Sequence, residues 1–243
     1  MNKYVKEIDL PYYMIDCNSK LRSTSFLDIA QEMAAVGAEP LGFADHHLAK
    51  YNYVWVLARM EVRFDEMPAR RETVSVETWH RGIEGLFFIR DYRLLDKSGK
   101  PVIFSTSSWI IMDLETRRAV RPNRLEGIVP EEPQNTETAI AEPVQKIVPP
   151  HGAEFTAAGE HKVIYSDLDC NGHVNNVKYS VWALDVLPME LLRTRQVKGL
   201  SINFNKEAVP GDTVTLMTLQ DGDSWYVEGR CDDRQIFIEK IDF

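Results

Sequence analysis

The stretch Ser166-Asp-Leu-Asp-Cys-Asn-Gly-His-Val-Asn-Asn-Val-Lys-Tyr179 carries two carboxylates, three amides and an imidazole within one short segment. Its Asn171-Gly172 pair is a turn signal. From Asn176 on, apolar residues recur about every 3.6 residues, which indicates a buried helix. We therefore expect a strand that ends near Val163–Tyr165, a polar turn, and a helix that starts at or near Asn175–Asn176, with either Asn as its cap.

Such a polar turn suits chemistry on an acyl group. The free N–H groups at a helix N-terminus and the positive end of the helix dipole stabilise negative charge, as the tetrahedral oxyanion of acyl transfer requires. The N–H groups expected there belong to Val174, Asn175 and Asn176. The alternative is a loop whose Asp and Asn side chains only cap backbone groups. So many polar groups directly before an apolar helix favour a functional site.

At these residues the sequence resembles a known family. The pattern Asp-x-Asp-x-Asn-x-His-Val-Asn-Asn-x-x-Tyr, from Asp167 to Tyr179, is similar to the signature of acyl-acyl carrier protein (acyl-ACP) thioesterases. The segments Trp55–Met60 and Trp109–Arg118 resemble the same family. The resemblance implies an α+β double hotdog fold, in which two tandem hotdog repeats each wrap an antiparallel β-sheet around a long helix. It also implies hydrolysis of fatty acyl-ACP to free fatty acid and ACP, with no cofactor.

The resemblance implies a catalytic set of Asp169, Asn171, His173 and Glu207. In the family, a Glu followed by a Cys joins the Asp, Asn and His of the signature. Here Glu207 is followed by Ala208, so a cysteine nucleophile is excluded at that position. We predict that Glu207 is the general base for a water held by Asn171 and His173, and that Asp169 orients these two residues. The alternative makes Asp169 the base or nucleophile, as in other hotdog thioesterases.

The two halves of the chain resemble each other. Asp16-Cys-Asn18 matches Asp169-Cys-Asn171, and Met60-x-Val-x-Phe64 matches Leu200-x-Ile-x-Phe204. In the first half, the apolar pattern predicts a helix from near Ser25, with Gly37 as the residue that follows its end. A helix and then strands follow in the same order in both halves, which indicates a duplicated domain.

The expected organisation has an N-terminal repeat at residues 1–124, a Pro- and Glu-rich linker at residues 125–159 and a C-terminal repeat at residues 160–243. The first repeat has Lys20 at the position of His173 and Met67 at the position of Glu207. We therefore expect one active site, built mainly by the second repeat. The first repeat would then keep a degenerate site and supply the pocket for the acyl chain.

The formal net charge of −9 argues against a broad nucleic-acid surface. Two local groups of basic residues are nevertheless candidate surfaces for an acidic carrier protein. The groups are Arg117, Arg118, Arg121 and Arg124, and Arg193, Arg195 and Lys198. Solvated surface charge explains each group taken alone equally well.

Other features of the sequence indicate the redox state of the cysteines, the cellular location and the oligomeric state that we expect. Three cysteines without a CxxC pair are typical of reduced thiols, and the His and Cys spacing predicts no metal site. No apolar run reaches the roughly 18 residues of a spanning helix, and the charged N-terminus does not resemble a secretory signal. Because plant members of the family carry plastid transit peptides, the resemblance implies a bacterial, cytoplasmic form. A double hotdog needs no partner copy, so both a monomer and a homodimer are compatible.

Two other functions remain open from the sequence. One is a hotdog acyl-CoA thioesterase, because the phosphates of coenzyme A also bind Arg and Lys. The other is a non-catalytic acyl-binding hotdog domain. The segments Trp55–Met60 and Trp109–Arg118 favour the carrier-protein substrate over coenzyme A. The presence of Asn171, His173 and Glu207 together favours an enzyme over a binding domain.

Overall fold

The computed structural model describes residues 2–42, 44–129 and 133–243 of the chain. Residues 130–132, which belong to the expected linker, lie outside the described residues. The chain divides into two compact units, Met1–Val144 and Gln145–Phe243. Each unit contains an antiparallel sheet and a helix that contacts it.

The first unit contains helices α1 and α2 and strands β1 to β6. The sheet has the order β1-β3-β4-β5-β2, and the short β6 pairs with β5. All the pairs within it are antiparallel. The elements are β1 (Tyr4–Asp9), α1 (Ser23–Ala38), α2 (Asp45–Ala49), β2 (Tyr53–Phe64), β3 (Thr73–Glu84), β4 (Phe87–Leu95), β5 (Pro101–Asp113) and β6 (Arg118–Ala119).

The second unit contains helices α3 and α4 and strands β7 to β11. Its sheet has the order β7-β9-β10-β11-β8, again with antiparallel pairs. The elements are β7 (Thr156–Lys162), α3 (Asn176–Asp185), α4 (Met189–Thr194), β8 (Gly199–Phe204), β9 (Thr213–Asp221), β10 (Ser224–Cys231) and β11 (Arg234–Asp242).

The two sheets share one topology. In each unit the spatial order is first, third, fourth, fifth and second strand, and the longest helix of the unit lies between the first and second strands in sequence. The helix α1 contacts β3, and α3 contacts β10 and β11. The expected pair of tandem helix-and-sheet repeats is therefore confirmed.

Helix α1 departs from the sequence prediction at both ends. It begins at Ser23, after Arg22 in the N-cap position, so the predicted start near Ser25 was late. Gly37 lies inside the helix and does not follow its end. A Cβ atom on Gly37 would lie 3.1 Å from Thr78 Cγ2 and 3.2 Å from Arg90 Nη1. Close packing of the helix on the sheet, and not a helix stop, therefore explains this glycine.

The strand before the polar motif does not contain the apolar residues from which it was predicted. Strand β7 ends at Lys162, and Tyr165–Asp167 forms a 3-10 turn. The strand thus ends one residue before Val163, close to the predicted point, but Val163–Tyr165 is not part of it. Strand β7 is the outer strand of its sheet and is almost wholly exposed, with the sequence Thr-Ala-Ala-Gly-Glu-His-Lys. An exposed edge strand does not need the alternation of apolar residues that identifies a half-buried strand.

Residues 133–144, from the expected linker, pack against strands β3 and β4 of the first unit. The Ala139 N–H donates to Asp91 Oδ2 at 3.0 Å, and Trp79 Nε1 donates to the Glu137 carbonyl at 2.9 Å. Arg93 Nη1 donates to Glu137 Oε2 at 2.9 Å. These contacts tie the segment to the first unit, while the linker bounds 125–159 stay a prediction.

Candidate active site

Asp169 closes the turn that leads into α3. Its Oδ1 accepts the N–H of Asn171 at 2.8 Å and the N–H of His173 at 3.2 Å. Its own N–H donates to the His173 carbonyl at 2.8 Å. Gly172 lies within this turn with a φ of 78°, a left-handed conformation that glycine adopts without strain. One carboxylate therefore holds the backbone of both Asn171 and His173.

Asn175 is the N-cap of α3. Its side chain accepts the N–H of Val177 at 2.9 Å, the bond by which an Asn cap stabilises a helix N-terminus. The prediction that one of the two adjacent asparagines caps the helix is confirmed, and Asn176 is the first helical residue.

The three N–H groups expected to face a ligand differ in their partners. The Asn175 N–H donates to the Asp167 carbonyl at 2.8 Å, and the Val174 N–H donates to the Ala208 carbonyl at 3.4 Å. Within the part of the chain that the structure describes, the Asn176 N–H has no hydrogen-bond acceptor. The Asn176 N–H is thus the group of the three that remains available to a bound molecule.

Glu207 lies in the loop between β8 and β9, next to the α3 N-terminus. The peptide of the following residue, Ala208, is bonded on both sides, because the Ala208 N–H donates to the Tyr179 hydroxyl at 3.1 Å and its carbonyl accepts from Val174. Glu207 Oε1 is 4.0 Å from His173 Nδ1, and the two side chains are 38% and 44% exposed. The structure therefore brings an acid and an imidazole together at a solvent-accessible helix N-terminus.

The first unit contains the same turn. Asp16 Oδ1 accepts the N–H of Asn18 at 2.8 Å and that of Lys20 at 3.0 Å, as Asp169 does for Asn171 and His173. Lys20 therefore stands in the place of His173, as the sequence comparison predicted.

The counterpart of Glu207 in the first unit follows from a second bond. The Leu21 N–H donates to the Pro68 carbonyl at 2.8 Å, in the way that Val174 donates to Ala208. Met67 therefore occupies the position of Glu207. The first unit repeats the backbone of the site without its imidazole and its carboxylate.

His161 makes a contact with the polar turn that the sequence did not predict. His161 of β7 bonds through Nε2 to Asp167 Oδ2 at 2.8 Å and stacks on Trp182 of α3, with ring centroids 4.3 Å apart. Partial burial raises the pKa of Asp167, but the bonds from His161 and the Ile164 N–H outweigh it and hold that pKa below its usual value. Because β7 gave no strand signal, nothing in the sequence placed His161 near the motif.

The residues of the two basic groups are exposed, except for Arg195. The first-unit residues Arg117, Arg118, Arg121 and Arg124 are all exposed. In the second group Arg193 and Lys198 are exposed. Arg195, however, donates to Asp223 Oδ1 at 2.8 Å and to the Phe243 carbonyl at 2.9 Å. Arg195 therefore contributes to holding the end of β11.

Two further features concern the described residues as a whole. Their helices include none with the length and apolarity that crossing a membrane requires. Their His, Cys, Asp and Glu side chains include no cluster of three or more that is arranged to hold a metal ion.

Solved structures share this architecture. The acyl-ACP thioesterase from Bacteroides thetaiotaomicron matches with a TM-score of 0.84 and 26% identity, over 99% of this chain and 97% of that one. The 12:0-ACP thioesterase from Umbellularia californica matches with a TM-score of 0.81 and 20% identity, over 99% of this chain and 95% of that one. These likenesses confirm the α+β double hotdog fold.

Family comparisons agree with this fold. The acyl-ACP thioesterase N-terminal domain matches residues 1–124, and the acyl-ACP thioesterase C-terminal domain matches residues 153–235. The chain belongs to the acyl-ACP thioesterase family.

Plant relatives are similar in sequence but longer. Oleoyl-acyl carrier protein thioesterase 2, chloroplastic, from Arabidopsis thaliana is 28% identical over 231 residues, which cover 88% of this chain and 62% of the relative. Palmitoyl-acyl carrier protein thioesterase, chloroplastic, from Gossypium hirsutum is 32% identical over 168 residues, which cover 68% of this chain and 40% of the relative. The chain thus spans less than two thirds of the length of these relatives.

Proposed function

We propose that the protein hydrolyses the thioester of fatty acyl-ACP to free fatty acid and ACP. The observation that carries this proposal is the pair of Glu207 and His173, 4.0 Å apart at the N-terminus of α3. Membership of the acyl-ACP thioesterase family gives the pair its chemical context. The relatives named for oleoyl-ACP and palmitoyl-ACP support a long-chain acyl thioester as the substrate class.

In the proposed mechanism Glu207 is the general base. It takes a proton from a water held by Asn171 and His173, and the oxygen of that water attacks the thioester carbonyl carbon. The oxyanion that forms is stabilised by the Asn176 N–H and by the positive end of the α3 dipole. The C–S bond then breaks, and the proton held by Glu207 passes to the leaving sulfur. The products are the fatty acid and the thiol of the carrier.

A structural role for Asp169 supports Glu207 as the base. Asp169 Oδ1 already accepts two backbone N–H groups. Asp16 makes the same two bonds in the first unit, where Lys20 and Met67 stand in place of the imidazole and the carboxylate. Turn formation is thus sufficient to explain an Asp at this position. Asp169 is then the residue that orients Asn171 and His173.

Carrier recognition is proposed for the exposed basic residues. The first-unit group of Arg117, Arg118, Arg121 and Arg124 is exposed, which suits contact with an acidic protein. In the second group Arg193 and Lys198 suit the same role better than Arg195, which bonds Asp223. An acyl-chain pocket in the first repeat, a bacterial cytoplasmic location and a monomeric or homodimeric state remain predictions.

The substrate class is tested with matched acyl-ACP and acyl-CoA series of several chain lengths, with thiol release as the measurement. We expect faster hydrolysis of the ACP series. A preference for the CoA series would move the protein to the acyl-CoA thioesterases. No release from either series by the folded protein would overturn the enzyme assignment and favour an acyl-binding domain.

The base is tested by the substitution Glu207→Gln. Removing a positioned general base lowers turnover by about 10²–10⁴-fold, so we expect a loss of kcat in that range with unchanged thermal stability, because Glu207 is partly exposed. The exposed Glu190 of α4 provides a matched control, and Glu190→Gln should leave kcat within about twofold of wild type. Near-normal turnover of the Glu207→Gln variant would instead favour Asp169 as the base.

A further inference from the structure

Tyr179 belongs to the motif but has no part in the mechanism above. It lies in the first turn of α3 and is buried, and its ring contacts the rings of Trp182, Phe204 and Phe237, with centroids 5.3, 6.1 and 5.2 Å away. This packing fixes the ring, and with it the position of the phenolic oxygen. That oxygen accepts the Ala208 N–H at 3.1 Å.

The bond to Ala208 acts on the residue that follows Glu207. Ala208 is fully buried, and its carbonyl accepts the Val174 N–H at 3.4 Å. The start of α3 therefore holds both polar atoms of Ala208, one through a side chain and one through the backbone. Glu207 directly precedes Ala208 in the chain. The two hydrogen bonds of Ala208 therefore fix the backbone position from which the Glu207 side chain extends toward His173.

The first unit provides an internal comparison. Phe26 stands at the position of Tyr179 and contacts Phe64 at 6.1 Å, just as Tyr179 contacts Phe204 at 6.1 Å. Pro68 stands at the position of Ala208. A phenylalanine has no hydroxyl and a proline has no N–H, so both partners of the hydrogen bond are missing together. They are missing in the unit that has Met67 in place of Glu207.

We propose that Tyr179 is a positioning residue for thioester hydrolysis, whose hydroxyl acts through the Ala208 N–H to set the place of Glu207 relative to His173. This inference rests on the proposed function. The repeat without the acid–base pair folds the same turn with Phe26 and Pro68, so the turn itself does not require the hydroxyl. The hydrogen bond between Tyr179 and Ala208 occurs in the unit that contains Glu207, whose carboxylate needs a fixed position next to His173.

The charge state of Tyr179 suits a residue that positions the backbone through a hydrogen bond, and not one that transfers a proton in the reaction. Burial raises the pKa of Tyr179 to about 12, against the opposing effect of the Ala208 N–H. The neighbouring carboxylates of Glu207, Asp212 and Asp169 raise it as well. The phenol is therefore neutral wherever a carboxylate base operates, and its oxygen accepts the Ala208 N–H throughout that range.

The decisive variant is Tyr179→Phe, which keeps the packed ring and which the first unit tolerates as Phe26. A misplaced catalytic group costs up to about 100-fold in rate, and we expect kcat to fall about tenfold with KM within about twofold. The control Tyr226→Phe removes the hydroxyl of another buried tyrosine of the same unit and should leave both constants unchanged. A Tyr179→Phe variant with wild-type kcat would overturn the inference.

A second comparison separates positioning from a general structural effect. If Tyr179 acts through Glu207, adding Tyr179→Phe to the Glu207→Gln variant should cause no further loss of kcat. The same tenfold loss in both backgrounds would overturn the inference. Ala208→Pro removes the N–H and leaves the phenol, so it should lower kcat alone and add nothing to Tyr179→Phe.

A readout independent of turnover keeps this inference distinct from the proposed function. Hydrogen exchange of the Ala208 amide should be slow in the wild type and faster by about tenfold or more in Tyr179→Phe. If the wild type hydrolyses no thioester, the proposed function fails. If the Ala208 amide also exchanges at the same rate in the wild type and in Tyr179→Phe, the hydrogen bond from Ala208 to Tyr179 is overturned as well. If the wild type hydrolyses the thioester and Tyr179→Phe has an unaltered kcat, only the positioning role of Tyr179 is overturned, and the proposed function stands.

Discussion

Glu239 of β11 is a buried carboxyl group close to helix α3. Burial raises its pKa to about 8, with a smaller opposing effect of the Ser180 hydroxyl on α3. Neither of its oxygens completes a hydrogen bond with another described residue. The folded protein therefore keeps Glu239 protonated at pH values at which an unfolded chain, with a Glu pKa of about 4.3, has released the proton.

A consequence of this burial is a loss of stability as pH rises. Between about pH 4.3 and about pH 8 the folded state binds more protons than the unfolded state, so the free energy of unfolding falls, by up to about 1.4 kcal/mol per pH unit. Glu239→Gln removes this titration. We expect the stability of the variant relative to wild type to increase with pH over that range in calorimetric unfolding. Parallel pH profiles of the two proteins would contradict the prediction, and the exposed Glu190→Gln serves as the control.

At the scale of elements, α1 depends on a glycine for its approach to the sheet. Glycine in a helix interior usually costs about 1 kcal/mol relative to alanine. Here an added Cβ would lie 3.1 to 3.3 Å from atoms of Thr78, Arg90 and Tyr4. The Arg90 side chain is buried beside this last turn of α1, where the negative end of the helix dipole favours a cation. The packing contacts therefore outweigh the helix propensity.

Gly37→Ala should for this reason destabilise the protein. Overpacking of a well-packed core typically costs about 1–3 kcal/mol, and we expect a loss in this range in chemical or thermal unfolding. Gly159 in β7 is the control, because its added Cβ meets only Val186 Cγ1, at 3.5 Å. Gly159→Ala should change stability by no more than about 0.5 kcal/mol. Greater stability of Gly37→Ala would show that helix propensity dominates.

At the scale of the whole molecule, two repeats share a fold and a turn, and they differ in chemistry. The strand order is the same in both units. The Asp-closed turn is also the same, with Ser19 at a φ of 61° where the second unit has Gly172 at 78°. Duplication therefore preserves the parts that the backbone needs, while His173 and Glu207 occur in the second unit alone at these positions.

Matched substitutions in the two turns test this division. Asp16→Ala and Asp169→Ala each remove two backbone hydrogen bonds to a carboxylate, and each should lower the free energy of unfolding by about 1–2 kcal/mol. Asp169→Ala should also reduce kcat on the order of 100-fold, because Asn171 and His173 lose their orientation. Asp16→Ala should keep kcat near the wild-type value. An equal loss of activity in both variants would contradict a single site in the second repeat.

Much of the fold could be read from local signals in the sequence. The start of α3 was predicted at or near Asn175–Asn176, and the cap was foreseen within one residue, because Asn side chains favour helix N-termini. The repeat was also found, since the turn chemistry of Asp16 and Asp169 is encoded in neighbouring residues. These features depend on interactions between residues that are close in the chain, and such interactions leave periodic or positional patterns.

The sequence by itself thus determined the two repeats, the polar turn and the chemical groups at the candidate site. Only the tertiary structure decided that β7 is an edge strand, that Gly37 is a packing residue, and that Tyr179 holds Ala208. An exposed strand carries no apolar alternation, and a contact between distant segments depends on how helix and sheet come together. Local sequence patterns record interactions between residues that are close in the chain. They do not record contacts between distant segments, because those contacts form only when the chain is packed.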